Sequence, residues 1–382
     1  MDKKKQKIYL DHQATTPLLP RVFEAMAEIF NGEVGNPHAS DHAAGWQARS
    51  KIENVRQILA DFVGGFDEGV IFTSGATEAN NLALIGFSSG ITKRRRLLVS
   101  AVEHKCVLAA ADHCAEHYGF TVERIPVEQD GQIDIAAFSQ MMDSDVGLVS
   151  VMAAQNEIGT IQNLRSIADI AHSQGALFHT DAAQAIVTQP LSDLSEIADL
   201  ISLSAHKCGG PGGIGALYVR PDLIDQMAPL VRGGGQQSGL RSGTLPVALC
   251  VGFAEALKFY NLDDIEKRRI ALRQKRDRFI SATTDLYSAA RLNGPNGSNR
   301  HIANANICFP GETASDLISR WQPLIAASTG AACVSGITEP SYVLRAIGLS
   351  EVDAYASVRF GLGFQTSDQD IDRALEIITS KA

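Results

Sequence analysis

The sequence contains no apolar run of membrane-spanning length, so a bilayer is not expected as its solvent. It has no excess of positive charge either. Thirty-four Lys and Arg stand against 43 Asp and Glu, a net of −9, which speaks against nucleic acid as a direct ligand. The one basic cluster, Lys93-Arg94-Arg95-Arg96, reads as a solvated loop between a helix and a strand. Cysteine is sparse, and none of the six (Cys106, Cys114, Cys208, Cys250, Cys308, Cys333) forms a CxxC pair. Free thiols are therefore expected, and a disulfide framework is not. Cys114 and His117 have helical metal-ligand spacing, but no second pair accompanies them, so no metal is expected. The charged stretch Met1 to Lys7 leads into Ile8-Tyr9-Leu10 and a polar turn instead of an apolar core. No secretory signal is expected, and the location is read as cytoplasmic. Internal repeats and low-complexity tracts are absent.

What remains is an ordinary globular composition over 382 residues, 45% hydrophobic and 20% charged. That length predicts two or three units of about 150 residues. Helical and strand patterns alternate through the first two thirds. Helices are predicted at 20–30, 48–62, 77–87, 104–117 and 161–173, and short apolar strands at 70–73, 97–99, 122–125, 146–151 and 176–179. This alternation predicts an α/β fold with a mostly parallel sheet covered on both faces. After about residue 255 the pattern changes to a long Arg- and Lys-rich helix at 265–285, a loop at 293–299, strands at 303–309, 324–327 and 357–362, and a last helix at 368–379. That part reads as a smaller α+β unit.

The chemistry centres on Ser204-Ala205-His206-Lys207-Cys208-Gly209-Gly210, a Gly-rich loop between two apolar strands. An amine at a strand's end is placed to form a Schiff base with an aldehyde cofactor such as pyridoxal phosphate (PLP). Other segments supply what such a site needs. Gly75, Ala76 and Thr77 lie between a strand and a helix, where free N–H groups and a hydroxyl form a candidate phosphate cup, or simply a helix cap. Asp181 follows a strand and is suited to the pyridinium nitrogen, with Gln184 near the ring oxygen. His104 also follows a strand, where it can stack on the ring and move protons. Asn156 is a candidate for the ring oxygen or a substrate carboxylate.

Far along the chain, Ala327 to Gly336 surrounds Cys333 with small residues, which predicts a mobile loop and a thiol able to act as nucleophile. Its competitor is Cys208. An extended chain there would turn Cys208 away from the cofactor, and a buried structural role is expected. The other four cysteines read as core.

Taken together, these motifs resemble the NifS/IscS-type cysteine desulfurases, within the class-V, fold-type-I PLP enzymes. The resemblance is carried by 9–17, Gly35-Asn36-Pro37, 73–80, Glu103-His104-Lys105, Asn156-Glu157-Ile158-Gly159 and Asp181 to Gln184. It continues through Ser204 to Lys207, Arg241 to Pro246, the Cys333 loop, Glu339 to Arg345 and Ser357 to Phe360. It implies a large PLP-binding domain over residues 16–260, with a mostly parallel seven-stranded sheet covered by helices. Residues 1–15 and 261–382 would form the small domain that carries the mobile Cys333 loop. It implies Lys207 as the Schiff-base lysine, His104 on the ring, Asp181 and Gln184 at its two polar edges, and Thr77, Ser204 and His206 at the phosphate. Thr244 would reach the phosphate site of a neighbouring subunit, making a homodimer. Asn156 and Arg359 would hold the substrate carboxylate. Free L-cysteine would yield L-alanine and a persulfide on Cys333, passed on to an acceptor protein for iron–sulfur assembly or thiolation.

Three departures from that pattern stand out. Gly212 occupies a place where many members carry a basic residue or Gln. Gln236 and Gln237 stand near where His and an acidic residue are usual. Ala382 closely follows the last predicted helix, where scaffold-docking members often continue, which lowers the expectation of that contact. The alternatives are a selenocysteine lyase, another class-V aminotransferase, which has no use for Cys333, or a non-catalytic partner subunit.

Overall fold

The computed structural model describes residues 7–32, 35–90, 93–329, 333–334 and 337–380; for 333, 334, 337 and 338 only the backbone is described. The expected mobility of the Cys333 loop falls largely outside the described residues. The first strand, β1 (Ile8–Tyr9), stands apart from the central sheet. That sheet comprises β2 (Val70–Thr73), β3 (Arg96–Ser100), β4 (Thr121–Ile125), β5 (Val146–Ser150), β6 (Leu177–Asp181), β7 (Leu200–Ser204) and β8 (Gly215–Val219). The seven lie in the order β2-β8-β7-β6-β5-β3-β4.

Neighbouring strands from β7 through β6, β5 and β3 to β4 are parallel, and β8 alone runs against the rest. The reason is local: only the Gly-rich loop joins β7 to β8, and it has no room for the crossover that parallel neighbours require. Side chains along the strands alternate between two apolar layers. Val70 and Phe72 pack with Ile52, Leu59 and Phe253 on one face, and Ile71 packs with Leu82, Val107 and Ala111 on the other. Both faces are therefore covered, as the apolar strands predict. Because β2, β3, β5, β6 and β7 run the same way, their carboxyl ends open at one edge, the usual location of a ligand crevice in such sheets.

The C-terminal part builds a second sheet from β9 (Arg291–Leu292), β10 (Asn304–Cys308) and β14 (Ser357–Gly361), antiparallel in the order β14-β10-β9. β11 (Ile325–Ala326) pairs in parallel with β1, while β12 (Cys333–Val334) and β13 (Ile337–Thr338) form a hairpin. Ile8 and Leu10 pack in one core with Leu272, Phe279, Trp321, Val358 and Phe360. The chain's start is thus held among residues near its end.

The charged helix Ile265–Leu286 hides a feature its composition conceals: Arg269 and Arg276 are buried. Arg269 donates to the carbonyls of Ile186 and Val187, and Arg276 to those of Arg300 and His301. Buried guanidinium groups persist only when paired in this way. Among the helices for which the sequence pattern gives no range are Ile135–Met141 and Val247–Phe259. The latter is apolar nearly all round because it packs between Pro20–Asn31 and Ala43–Val63. No helix among the described residues is long and apolar enough to cross a membrane.

Candidate active site

At the carboxyl edge of the central sheet lies a cavity of about 450 Å³. Gly75, Ala76, Thr77, His104, Asn156, Asp181, Gln184, Ser204, His206 and Lys207 all line it. Each arrives from the end of a strand: β2 leads into Gly75, β3 into His104, β5 into Asn156, β6 ends on Asp181 and β7 on Ser204. Alternating connections turn residues far apart in sequence into neighbours at one edge.

Lys207 closes a tight 3-10 turn, Ala205–Lys207, so the chain is not extended there as the sequence reading supposed. Its amine donates to the carbonyls of Gln13 at 2.7 Å and Ala14 at 2.8 Å. Desolvation, reinforced by the nearby charge of Arg359, pushes the Lys207 pKa down to about 8 against the pull of Asp181 and Asp11. A lowered amine pKa is what a Schiff-base nucleophile needs near neutral pH. Cys208 turns into the core; its thiol contacts the Ala205 carbonyl at 3.1 Å, and burial pushes its pKa up to about 12.

Asp181 is buried and anchored on both oxygens. Oδ1 accepts from the Ala183 N–H at 2.9 Å and Oδ2 from Asn80 Nδ2 at 2.7 Å. Gln184 donates from Nε2 to the Gln13 carbonyl at 2.9 Å. His206 meets Thr15 Oγ1 at 3.2 Å, and desolvation together with Lys207 lowers its pKa to about 4. His104 caps its own helix, Lys105–Tyr118, by accepting the Cys106 N–H at Nδ1. Desolvation lowers its pKa, Asp181 opposing and Lys207 and Lys105 adding to the effect.

The residues fit an anionic pyridine cofactor. Ser204 Oγ is buried on the cavity side of β7 with no partner among the described residues, an orphan a phosphate oxygen would satisfy. Gly75 has φ 153°, a conformation open to glycine, and a Cβ there would project into open space instead of protein. That leaves the backbone N–H groups at the start of the helix Ala76–Asn81 approachable.

Two predicted residues are not on the cavity wall. Arg359, on β14, is paired with Asp11 at 2.8 Å and touches the Asn156 carbonyl at 3.4 Å. Thr244 is exposed on the loop before the helix Val247–Phe259. The Cys333 side chain lies outside the described residues. Its backbone sits in the β12–β13 hairpin, paired with Thr338.

Sequence reasoning missed some of the wall. Cys106, read as core, lines the cavity because the helix starting at Lys105 turns its first thiol towards Asp181. Ser74, Met152, Ala183, Gly212 and Gly213 also line it. Gln237, a departure from the family pattern, is explained by the sheet edge. With φ 52° it turns its amide onto β2, accepting from the Phe72 N–H at 2.7 Å and donating to the Phe72 carbonyl at 2.9 Å.

Fold and site define a fold-type-I α/β enzyme that uses pyridoxal phosphate. The family model described as aminotransferase class-V matches residues 8–374. A protein named cysteine desulfurase IscS, from Rickettsia bellii (strain OSU 85-389), is 43% identical over 377 residues, covering 98% of this chain and 90% of that one. Among solved structures, a NifS-like protein superposes with a TM-score of 0.90 at 30% identity, covering 98% of both chains. Another, SspA in complex with cysteine, gives 0.81 at 32% identity, covering 93% of this chain and 99% of that one. The chain belongs to the class-V aminotransferase family and, within it, to the cysteine desulfurases.

Proposed function

We propose that this protein removes sulfur from L-cysteine, releasing L-alanine and leaving the sulfur as a persulfide on Cys333 for an acceptor protein. The observation that carries this reading is how the Cys333 segment is attached. Just before it, Ser328 exchanges both backbone hydrogen bonds with Arg359, at 3.1 and 2.7 Å. Just after it, Ser341 Oγ donates to the buried Glu157 carboxyl at 2.5 Å, next to Asn156. Both feet therefore stand beside the two residues read as substrate-carboxylate partners, and Cys333 lies five residues past the first foot. A chain of that length reaches up to about 17 Å.

Pyridoxal phosphate, when bound, supplies the carbonyl carbon that captures the substrate amine and the ring that draws electrons from the substrate carbons. Gly75, Ala76, Thr77, Ser204 and His206 would hold its phosphate by N–H and side-chain donors. Asp181, held on both oxygens, would place its carboxylate at the ring nitrogen, and Gln184 would stand at the ring oxygen. Lys207 Nζ, neutral in part near pH 7, would be the amine that holds the cofactor and the base for the substrate's α-proton. Asn156 and Arg359 bind the substrate carboxylate, which orients the thiol towards Cys333. Cys333, as thiolate, attacks the substrate sulfur. The new S–S bond forms as the Cβ–S bond breaks, and that electron pair stays with the carbon fragment, which leaves as alanine after protonation. No outside oxidant is required.

The exposed Thr244 supports a homodimer in which it reaches the neighbouring subunit's phosphate site, and a cytoplasmic location is part of the same reading. The test is mass spectrometry of the PLP-loaded protein after L-cysteine treatment. One added sulfur atom on Cys333 is expected. Sulfur release should vanish in Cys333→Ser while the cofactor absorbance band survives. A Cys333→Ser protein with full turnover would overturn the assignment.

A further inference from the structure

Among the described cysteines, Cys106 alone has its thiol on the wall of the large cavity. Its sulfur is 3.0 Å from His104 Nδ1 and 3.3 Å from Asn80 Nδ2. That same Asn80 nitrogen reaches Asp181 Oδ2 at 2.7 Å, and Asn80 is completely buried. Asp181 and His104, the anion and the imidazole of the site, are thus joined through two side chains on different elements.

Counting protons along this chain gives it a direction. A carboxylate only accepts, so the Asn80 amide must turn Nδ2, not Oδ1, towards Asp181. One Nδ2 proton serves Asp181 and the other serves the Cys106 sulfur. The Thr77 side chain, interacting with the same sulfur, lowers the thiol's pKa. The thiol's own proton is then directed to the remaining acceptor, His104 Nδ1, which takes the Cys106 backbone N–H at 3.2 Å as well. A ring nitrogen that accepts from two donors carries no proton itself, so the neutral imidazole carries it on Nε2.

We propose that Asn80 and Cys106 are positioning residues that tie Asp181 to His104 and hold His104 as the Nε2–H tautomer, so that in the cavity His104 donates a proton and Lys207 accepts one. The inference rests on the proposed function, with His104 read as the group that moves protons beside the ring, and assigns the direction of that transfer. A competing role for Cys106, as a second sulfur acceptor, needs a thiolate. Burial, with Asp181 adding to it, pushes this thiol up to about 11, so roughly one molecule in ten thousand is ionised at neutral pH. The charged groups that face His104 are Asp181, Lys207 and Lys105. Desolvation, with Asp181 adding to it, raises the pKa of the buried Glu103 carboxyl well above its usual value, and Glu103 in turn adds to the rise at Cys106.

The experiment is NMR of the PLP-loaded protein with 15N-labelled histidine, the His104 signals being assigned by their loss in His104→Gln. Wild type is expected to show neutral His104 protonated on Nε2. Removing a donor from Nδ1 makes protonation there easier. Cys106→Ala should therefore raise the His104 pKa by about half a unit to one unit, the effect of one ordinary hydrogen bond. Cys106→Ser, which keeps a donor, should stay close to wild type. A wild-type Nδ1–H tautomer, or a Cys106→Ala titration superimposable on wild type, overturns the proposal. If Cys106→Ala does not fold, the wild-type tautomer and Cys106→Ser decide it. The readout is independent of turnover: an Nε2–H tautomer in a protein that never releases sulfur from cysteine would sink the proposed function and leave the relay standing.

Discussion

The Lys207 amine donates to the carbonyl of Gln13, 194 residues earlier, at 2.7 Å. The turn after β1 therefore closes one side of the site, and Lys207 sits in a desolvated position that lowers its pKa to about 8. Only the neutral amine attacks an aldehyde. Capture of PLP by cofactor-free protein should accelerate about tenfold per pH unit up to about pH 8 and then level off. Stopped-flow absorbance measures this, and a rate independent of pH between 6 and 8 contradicts it. Lys207→Ala should show no reducible covalent attachment at any pH.

Arg359 is held by Asp11 at 2.8 Å, and its Nε has no partner among the described residues. A planar guanidinium binds a carboxylate with two parallel bonds, which a lysine does not reproduce. Arg359→Lys is expected to raise KM for L-cysteine about tenfold or more with a smaller change in kcat. Asp11→Asn, which removes the competing anion, should leave KM unchanged or lower it. Steady-state kinetics on both proteins decides whether Arg359 is the carboxylate partner.

Ser341 Oγ is the partner of a buried carboxyl, and burial raises the Glu157 pKa. Ser341→Ala leaves that oxygen without its donor, and a cost of about 1–3 kcal/mol is expected. The denaturant midpoint should fall with an unchanged slope. Ser341→Thr, which restores a hydroxyl, should recover most of it.

Acid should destabilise the fold through three buried histidines. Desolvation lowers His12 to about 4, His179 to about 3 and His301 to about 4. His179, in the middle of β6, is wedged between Ser150 Oγ of β5 and Ser202 Oγ of β7. In the unfolded chain each titrates near 6.5. Between that value and the folded values the unfolded state binds more protons, so stability is full above about pH 6.5 and is lost as pH falls towards 4. Urea midpoints at pH 7 and 5 should show the loss, and His179→Gln should flatten it. Equal pH slopes for the two proteins would contradict the assignment.

Much of the site was legible because its residues sit at strand ends, where local pattern and chemistry coincide. Asp181 follows an apolar run, Gly75 precedes a helix, and Lys207 opens a Gly-rich loop. Cys106 was not legible as a wall residue. Its neighbours Val107, Ala110 and Ala111 are core, and an apolar helix face gives no sign of which end opens on a cavity. The buried Arg269 and Arg276 were hidden for the opposite reason, since arginine in a charged helix reads as solvated. Carbonyl partners distant in sequence, with the Glu266 and Asp277 carboxylates alongside, make their burial tolerable.

The amino-acid order alone determines the strand–helix alternation, the chemistry of Lys207, Asp181 and His104, and the separate small-residue setting of Cys333, because each depends on periodicity or on side-chain type within a short stretch. Tertiary structure decides what those groups experience. The low amine pKa of Lys207 comes from burial against a turn near the chain's start. The chain of bonds from Asp181 through Asn80 and Cys106 to His104 exists because parallel strands bring three separate segments to one edge. Desolvation and hydrogen-bond direction belong to spatial neighbours, and spatial neighbours are settled only when the sheet closes its order.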